Sequence, residues 1–286
     1  MVTIRQAVAS ATEELARAGV SEPRLTAMTL LAEILRKDRI YILTRPEEVL
    51  AEETLHRFRD AVARRARGEP LQYITGHQEF YGLDFLVTPD VLIPRPETEL
   101  IVEQVLVRNR ASRPLIIDVG TGSGCISIAL AVHLPTAHLL ALDISESALA
   151  VARRNAERHG VAERIEFLQS DLFSALQQQK QPIQADFIVA NPPYIAEQEA
   201  DTLPREVREY EPAVALFAGE DPLEVHRRLL HESPRFLVPG GFLICEMGYG
   251  QYRQIQAIID ASVWRVVEVV KDLQGIERTL VLERSV

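Results

Sequence analysis

The chain has little cysteine: Cys125 and Cys245 are the only two among 286 residues. Two thiols are too few for a disulfide framework and point to a reducing, cytoplasmic compartment. No apolar run approaches the ~18 residues of a membrane span, and the opening MVTIRQAVAS has no signal-peptide pattern. No membrane association is therefore expected, and a cytoplasmic location is. H-E-x-x-H and C-x-x-C are both missing and the seven histidines are scattered, so no metal site is expected. Internal repeats are absent. Low-complexity sequence is confined to Gln177–Gln179 with Lys180 and Gln181, which reads as a surface loop.

What remains is ordinary globular sequence, 47% apolar and 25% charged, and its length suggests two domains at ~150 residues each. Acidic residues outnumber basic ones 41 to 31, a net charge of −10, and the imbalance is uneven. Residues 1–70 carry 12 basic and 11 acidic side chains, whereas residues 71–286 carry 19 and 30. An acidic body repels phosphate backbones, so direct nucleic-acid binding is not expected and a protein or small-molecule substrate fits better.

Residues 1–68 read as a helical domain. Ile4, Val8, Ala11 and Leu15 repeat at helical spacing up to Gly19 and the Ser21-Glu22-Pro23 break; Leu25, Met28, Leu31 and Leu35 form a second stripe. A third helix is predicted from Glu47 to Arg67, with Val49, Leu55, Phe58 and Val62 inward. Arg64, Arg65 and Arg67 at its end either complement the helix dipole on a solvated face or contact a partner or RNA; the first reading is preferred. Residues 69–98 read as a β-hairpin linker, with β-like pieces at Leu71–Ile74 and Phe85–Val87 between Gly76, Gly82, Pro89, Pro94 and Pro96. From residue 99 to 286 strand and helix alternate, which gives an α/β fold with a mostly parallel sheet and helices on both faces. The last two strands, VWRVVEVVKD and GIERTLVLER, follow closely enough to pair antiparallel.

In such sheets ligands bind beyond the carboxyl ends of the strands. The first strand runs into Asp118-Val119-Gly120-Thr121-Gly122-Ser123-Gly124, where glycines let backbone approach a ligand and feed a helix N-terminus. The spacing is G-x-G-x-G, and Cys125 stands where a dinucleotide fingerprint has its third glycine. Asp143, 23 residues after Gly120, can accept both hydroxyls of a ribose. Asp171 ends the third strand, where its carboxylate and the next N–H can face an adenine edge. Each aspartate alone could be a helix cap or turn residue. Three strand ends together describe an adenosine site without a phosphate grip, which suits S-adenosylmethionine.

The fourth strand ends in Asn191-Pro192-Pro193-Tyr194. Two prolines hold the backbone extended, so the Asn191 side-chain oxygen and the Pro192 carbonyl can both accept from one planar NH2 group. Tyr194 offers a ring for stacking on that group. The plain alternative is a rigid turn with a core tyrosine.

These motifs resemble a class I S-adenosylmethionine-dependent methyltransferase acting on nitrogen. The segments EPLQYITGHQEFYGLDFLVTPDVLIPRPETE and EPAVALFAGEDPLEVHRRLL are similar to the HemK/PrmC family, with Cys125 and Pro222 as departures where Ala and Gly are common. The resemblance implies a Rossmann-like seven-stranded sheet with an antiparallel last strand plus a small N-terminal substrate-recognition domain. It implies methyl transfer to N5 of the glutamine in the Gly-Gly-Gln motif of class 1 peptide-chain release factors, leaving S-adenosylhomocysteine. It assigns Gly120, Thr121, Gly122, Ser123, Gly124 and Asp143 to the cofactor. Asp171 and Leu172 fall to the adenine, and Asn191, Pro192, Pro193 and Tyr194 to the glutamine amide, Asn191 also bordering the cofactor. Arg95, Pro96, Glu97 and Thr98 fall at the pocket's edge.

The rival readings are a nucleic-acid amino-methyltransferase, since the same motif serves base amines, a non-catalytic binding protein that retains the fold, and an NAD-dependent oxidoreductase. The charge of residues 71–286 opposes the first, the intact Asn191–Tyr194 motif the second and the glycine spacing the third.

Overall fold

Thr3 opens the first helix with a reciprocal cap: its hydroxyl accepts from the Gln6 N–H at 3.3 Å, and the Gln6 side chain accepts from the Thr3 N–H at 3.0 Å. The computed structural model describes residues 1–179 and 182–285. Lys180 and Gln181 of the glutamine-rich stretch lie outside the described residues, as does Val286. The chain divides into two units, one of Met1–His77 with Pro204–Tyr210, the other of Gln78–Leu203 with Glu211–Val286.

The first unit is helical: α1 (Ile4–Arg17), α2 (Pro23–Leu35), α3 (Arg39–Thr44), α4 (Glu52–Ala66) and α5 (Leu71–Thr75). Ile4, Val8, Ala11 and Leu15 of α1 are buried as their spacing predicts, against Leu30, Leu31 and Phe58. Three expectations change here and one helix is added. Leu25 is exposed, because α2 buries Ala27, Leu30 and Leu31 instead. Residues 39–44, to which the sequence pattern assigns no element, form the separate helix α3, which Asp38 caps by accepting from the Tyr41 N–H at 2.8 Å. Val49 faces solvent, because residues 48–50 run extended beside the N-terminus, with Leu50 N–H donating to Val2 C=O at 2.9 Å, and α4 begins only at Glu52. Leu71–Ile74 is helix, entered from Pro70 and closed by Gly76 at φ +80°.

Two of the three arginines at the end of α4 are paired within the first unit. Arg64 grips the Glu69 carboxylate through Nε at 2.8 Å and Nη2 at 2.5 Å, and Arg65 pairs with Glu206 at 2.7 Å.

The second unit opens with the hairpin β1 (His77–Phe80) and β2 (Leu83–Leu86), then α6 (Glu99–Arg108). There follow β3 (Leu115–Val119), α7 (Cys125–His133), β4 (His138–Asp143), α8 (Glu146–Arg158), β5 (Ile165–Gln169), α9 (Ser174–Gln177) and β6 (Ala185–Ala190). Short elements come next: β7 (Ile195–Ala196), α10 (Arg205–Tyr210, in the first unit), α11 (Ala213–Leu216) and β8 (Phe217–Gly219). The chain ends with α12 (Glu224–Glu232), β9 (Leu237–Glu246), α13 (Tyr252–Ile258), β10 (Trp264–Lys271) and β11 (Glu277–Arg284).

Seven strands form one sheet in the order β10-β11-β9-β6-β3-β4-β5, parallel except where β11 runs antiparallel to β9 and β10. The expected fold class holds. Successive strand residues point to opposite faces. Ile116, Val189 and Ile244 therefore pack on one side with Val105 and Ile128 from α6 and α7. Ile117, Ile188 and Leu243 pack on the other with Leu229 and Ile255 from α12 and α13. Asn155, fully buried on α8, joins the hairpin to the loop after β3. It exchanges two hydrogen bonds with the backbone of Leu86, at 2.8 and 3.0 Å, and donates to Ser123 C=O at 2.9 Å.

Candidate active site

The carboxyl ends of β3, β4, β5 and β6 surround a cavity of about 280 Å3. At the first of them Gly120, Gly122 and Gly124 all have positive φ, for two different reasons. A Cβ at Gly124 would meet Ile128 Cδ1 at 2.9 Å and Ala152 Cβ at 3.2 Å, so this glycine permits close packing of the loop on α7 and α8. At Gly120 and Gly122 a Cβ would meet nothing within 4 Å, so the backbone itself borders the cavity.

Two buried carboxylates hold the loop. Asp118 accepts from the hydroxyls of Thr121 and Ser127, both at 2.7 Å, and burial pushes its pKa up to about 6. Asp143 accepts from the N–H of Gly122 at 2.8 Å and of Ser145 at 2.9 Å; burial raises its pKa against those two bonds. Asp171 is exposed and accepts from Arg228 of α12 at 2.9 Å. The next residue, Leu172, has φ +46°, uncommon for a side-chain-bearing residue, and its C=O accepts from Ser170 Oγ at 2.7 Å.

The Asn191 Nδ2 group donates to Thr98 Oγ1 at 3.0 Å, and that hydroxyl donates to Glu246 Oε2 at 2.6 Å. The Tyr194 hydroxyl reaches the other oxygen of Glu246 at 3.3 Å, and Tyr194 C=O accepts from Gln251 at 2.8 Å. Glu246 is the last residue of β9, and burial pushes its pKa up to about 7. Arg95 pairs with the buried Glu211, which also accepts from the Ile93 N–H at 3.3 Å.

Among the sequence-predicted residues, Gly120, Thr121, Gly122, Ser123, Asp143, Asp171, Leu172, Asn191 and Pro193 line the cavity together, with Arg95 and Thr98. Gly124, Pro192, Tyr194, Pro96 and Glu97 stand outside its lining. Cys125 also lines it, its thiol kept protonated by burial at a pKa of about 12. Sequence reasoning missed Asp118, Glu211 and Glu246 as structural members of this site. Asp118 carried a local signal in its hydroxyl partners three and nine positions on, but Glu246 lies 148 positions from Thr98 and carried none.

Residues 6–76 match the PrmC N-terminal domain and residues 96–207 the methyltransferase small domain. A release factor glutamine methyltransferase of Koribacter versatilis is 45% identical over 281 residues, 98% of this chain and 98% of the relative. The chain belongs to the release factor glutamine methyltransferase family. Its Geobacter sulfurreducens member is 42% identical over 278 residues, covering 97% of this chain and 95% of its own. The fold extends to a crystallised methyltransferase from Pyrococcus furiosus at 17% identity, with a TM-score of 0.53 over 79% of this chain and 99% of that one. Membership makes this chain a methyltransferase, as its motifs implied. No helix among the described residues is long and apolar enough to cross a membrane.

Proposed function

We propose that this methyltransferase modifies N5 of the glutamine in the Gly-Gly-Gln motif of class 1 peptide-chain release factors, using S-adenosylmethionine and leaving S-adenosylhomocysteine. The observation that carries the reading is Asn191 at the cavity wall with its NH2 group committed to Thr98, which leaves its oxygen as an acceptor for an incoming amide.

The cavity suits the cofactor. Open backbone at Gly120 and Gly122 admits a ligand against the chain. Each Asp143 oxygen keeps acceptor capacity for a ribose hydroxyl beyond its one backbone bond. The arginines that line the cavity among the described residues, Arg95 and Arg228, are paired with Glu211 and Asp171 and so are not grouped as a phosphate grip. When bound, S-adenosylmethionine supplies an electrophilic methyl group.

Asn191 Oδ1 and the Pro192 carbonyl accept from the glutamine NH2 and turn its nitrogen toward the cofactor, while the Tyr194 ring supports the amide plane. Fixing the reactants in line can supply about 7–11 kcal/mol over a random encounter. No side chain at the motif is a strong base, so the amide proton leaves to solvent. Gly120, Thr121, Gly122, Ser123, Gly124, Asp143, Asp171 and Leu172 hold the cofactor, and the N-terminal unit recognises the protein substrate in the cytoplasm.

Incubation with labelled S-adenosylmethionine and a purified release factor, followed by mass spectrometry, should place one methyl group on that glutamine. Label transferred to RNA and not to the release factor would overturn the reading in favour of a base methyltransferase.

A further inference from the structure

A hydroxyl has one hydrogen to give, and an ionised carboxylate can only accept. Thr98 and Glu246 are each 2% exposed, so their bond to each other is shielded from bulk water. With Glu246 ionised, the Thr98 hydrogen goes to Glu246 Oε2 at 2.6 Å, and Thr98 Oγ1 can then only accept. The neighbouring Asn191 amide must present NH2 to it, at 3.0 Å, and its oxygen away from it. Reversing that amide would set two acceptors against each other in a buried site.

We infer that Glu246 and Thr98 are positioning residues for methyl transfer, the charge of Glu246 fixing, through the Thr98 hydroxyl, which atom of Asn191 meets the substrate amide. This rests on the glutamine reading above. A protonated Glu246 could donate to Thr98, free the Thr98 hydrogen for Asn191 Oδ1 and permit the reversed amide, which offers the substrate NH2 a donor where it needs an acceptor.

The groups around Glu246 leave it as the one that titrates near neutrality. The Tyr194 hydroxyl is held protonated by burial, as are the thiols of Cys245 and Cys125. His226 of α12, whose Nε2 donates to the Glu246 C=O at 2.8 Å, is kept neutral by burial. The Arg278 guanidinium on β11 favours the charge on Glu246, and Glu97 opposes it.

Two measurements test the inference. In the enzyme bound to S-adenosylhomocysteine, the Asn191 side-chain amide resonance, assigned by its loss in Asn191→Ala, should shift with pH around a midpoint of about 7. The step should vanish in Glu246→Gln, and a flat titration in the parent overturns the inference. This arm needs no transfer, so a parent that failed to methylate release factors would sink the glutamine reading alone.

In the second arm, Thr98→Val should lower kcat on a release factor about 10- to 100-fold, the worth of a hydrogen bond to a charged group, with KM unchanged. Thr98→Ser, which keeps the hydroxyl, should recover most of that loss. Added to Asn191→Ala, Thr98→Val should cost less than about twofold more, as expected of residues acting through one another. A full multiplicative loss, or a serine variant no better than valine, overturns the inference.

Discussion

Each oxygen of the Asp143 carboxylate is tied to a backbone N–H, one on the glycine loop and one at the start of α8, so the residue shapes the site as well as facing the cavity. Asp143→Ala should therefore weaken S-adenosylhomocysteine binding in calorimetry and also lower Tm, since each lost charge-assisted bond is worth ~1.5–3 kcal/mol. An unchanged affinity would remove Asp143 from the site. Asn191→Ala should lower kcat roughly 100- to 1,000-fold, the range for a preorganised contact at a reacting centre, with cofactor affinity little altered. Tyr194→Phe loses one long bond to Glu246 and should be mild beside Tyr194→Ala, which loses the ring. Steady-state kinetics showing equal damage from both would place the role in the hydroxyl. Glu246 also marks stability. Its folded pKa, about 7, lies above the ordinary glutamate value, so the folded state holds the proton more tightly than the unfolded chain. Its contribution is full below about pH 4 and lost as pH rises through about 7. The urea midpoint of the parent relative to Glu246→Gln should fall between pH 5 and pH 8, and a constant difference would count against a buried, titrating carboxyl.

The glycines after β3 separate packing from binding at the level of an element. Gly124→Ala would set its Cβ against Ile128 and Ala152 and should lower stability by about 1–3 kcal/mol, with Tm as the measurement. Gly120→Ala meets no neighbour and should act mainly on cofactor affinity, beyond the modest strain of its φ of +75°. The glycine loop, Asp143, Asp171 and Asn191–Tyr194 could be singled out in the sequence because each follows or ends a short strand-like run, at a boundary that local pattern marks. Glu246 ends such a strand too, but its partners are Thr98 and Tyr194, which only the finished sheet and the turn before α6 bring near it. Short elements were the least legible. The six residues of α3 and five of α5 are too few for helical periodicity to stand out, and the β-branched and aromatic side chains of α5 misdirect toward strand.

In the whole molecule the helical unit includes a segment from far along the chain. Glu206 pairs with Arg65 at 2.7 Å, and the Tyr210 hydroxyl donates to the Arg67 C=O at 3.3 Å. Removing residues 1–67 thus strips partners from residues lying in sequence between the Asn191–Tyr194 motif and the cavity-lining Pro212 and Phe217. The shortened protein should bind S-adenosylhomocysteine within about tenfold of the parent, or ~1.4 kcal/mol, yet methylate an intact release factor poorly. Undiminished kcat/KM on the intact substrate would show that recognition lies elsewhere.

A ribosome delivers β9 and β10 before β11, yet β11 is the strand that stands between them. Until it emerges, the edge of β9 from Phe242 to Glu246 has no neighbour on that side, and the fully buried Leu280, Val281 and Leu282 have not been added to the core. A nascent chain halted after Lys271 accordingly carries an apolar strand with an open hydrogen-bonding edge, the kind of surface that chaperones capture and that seeds aggregation. The sheet that positions Glu246 is thus closed by a strand made after both of the strands it joins, and the arrangement around Glu246 waits on it.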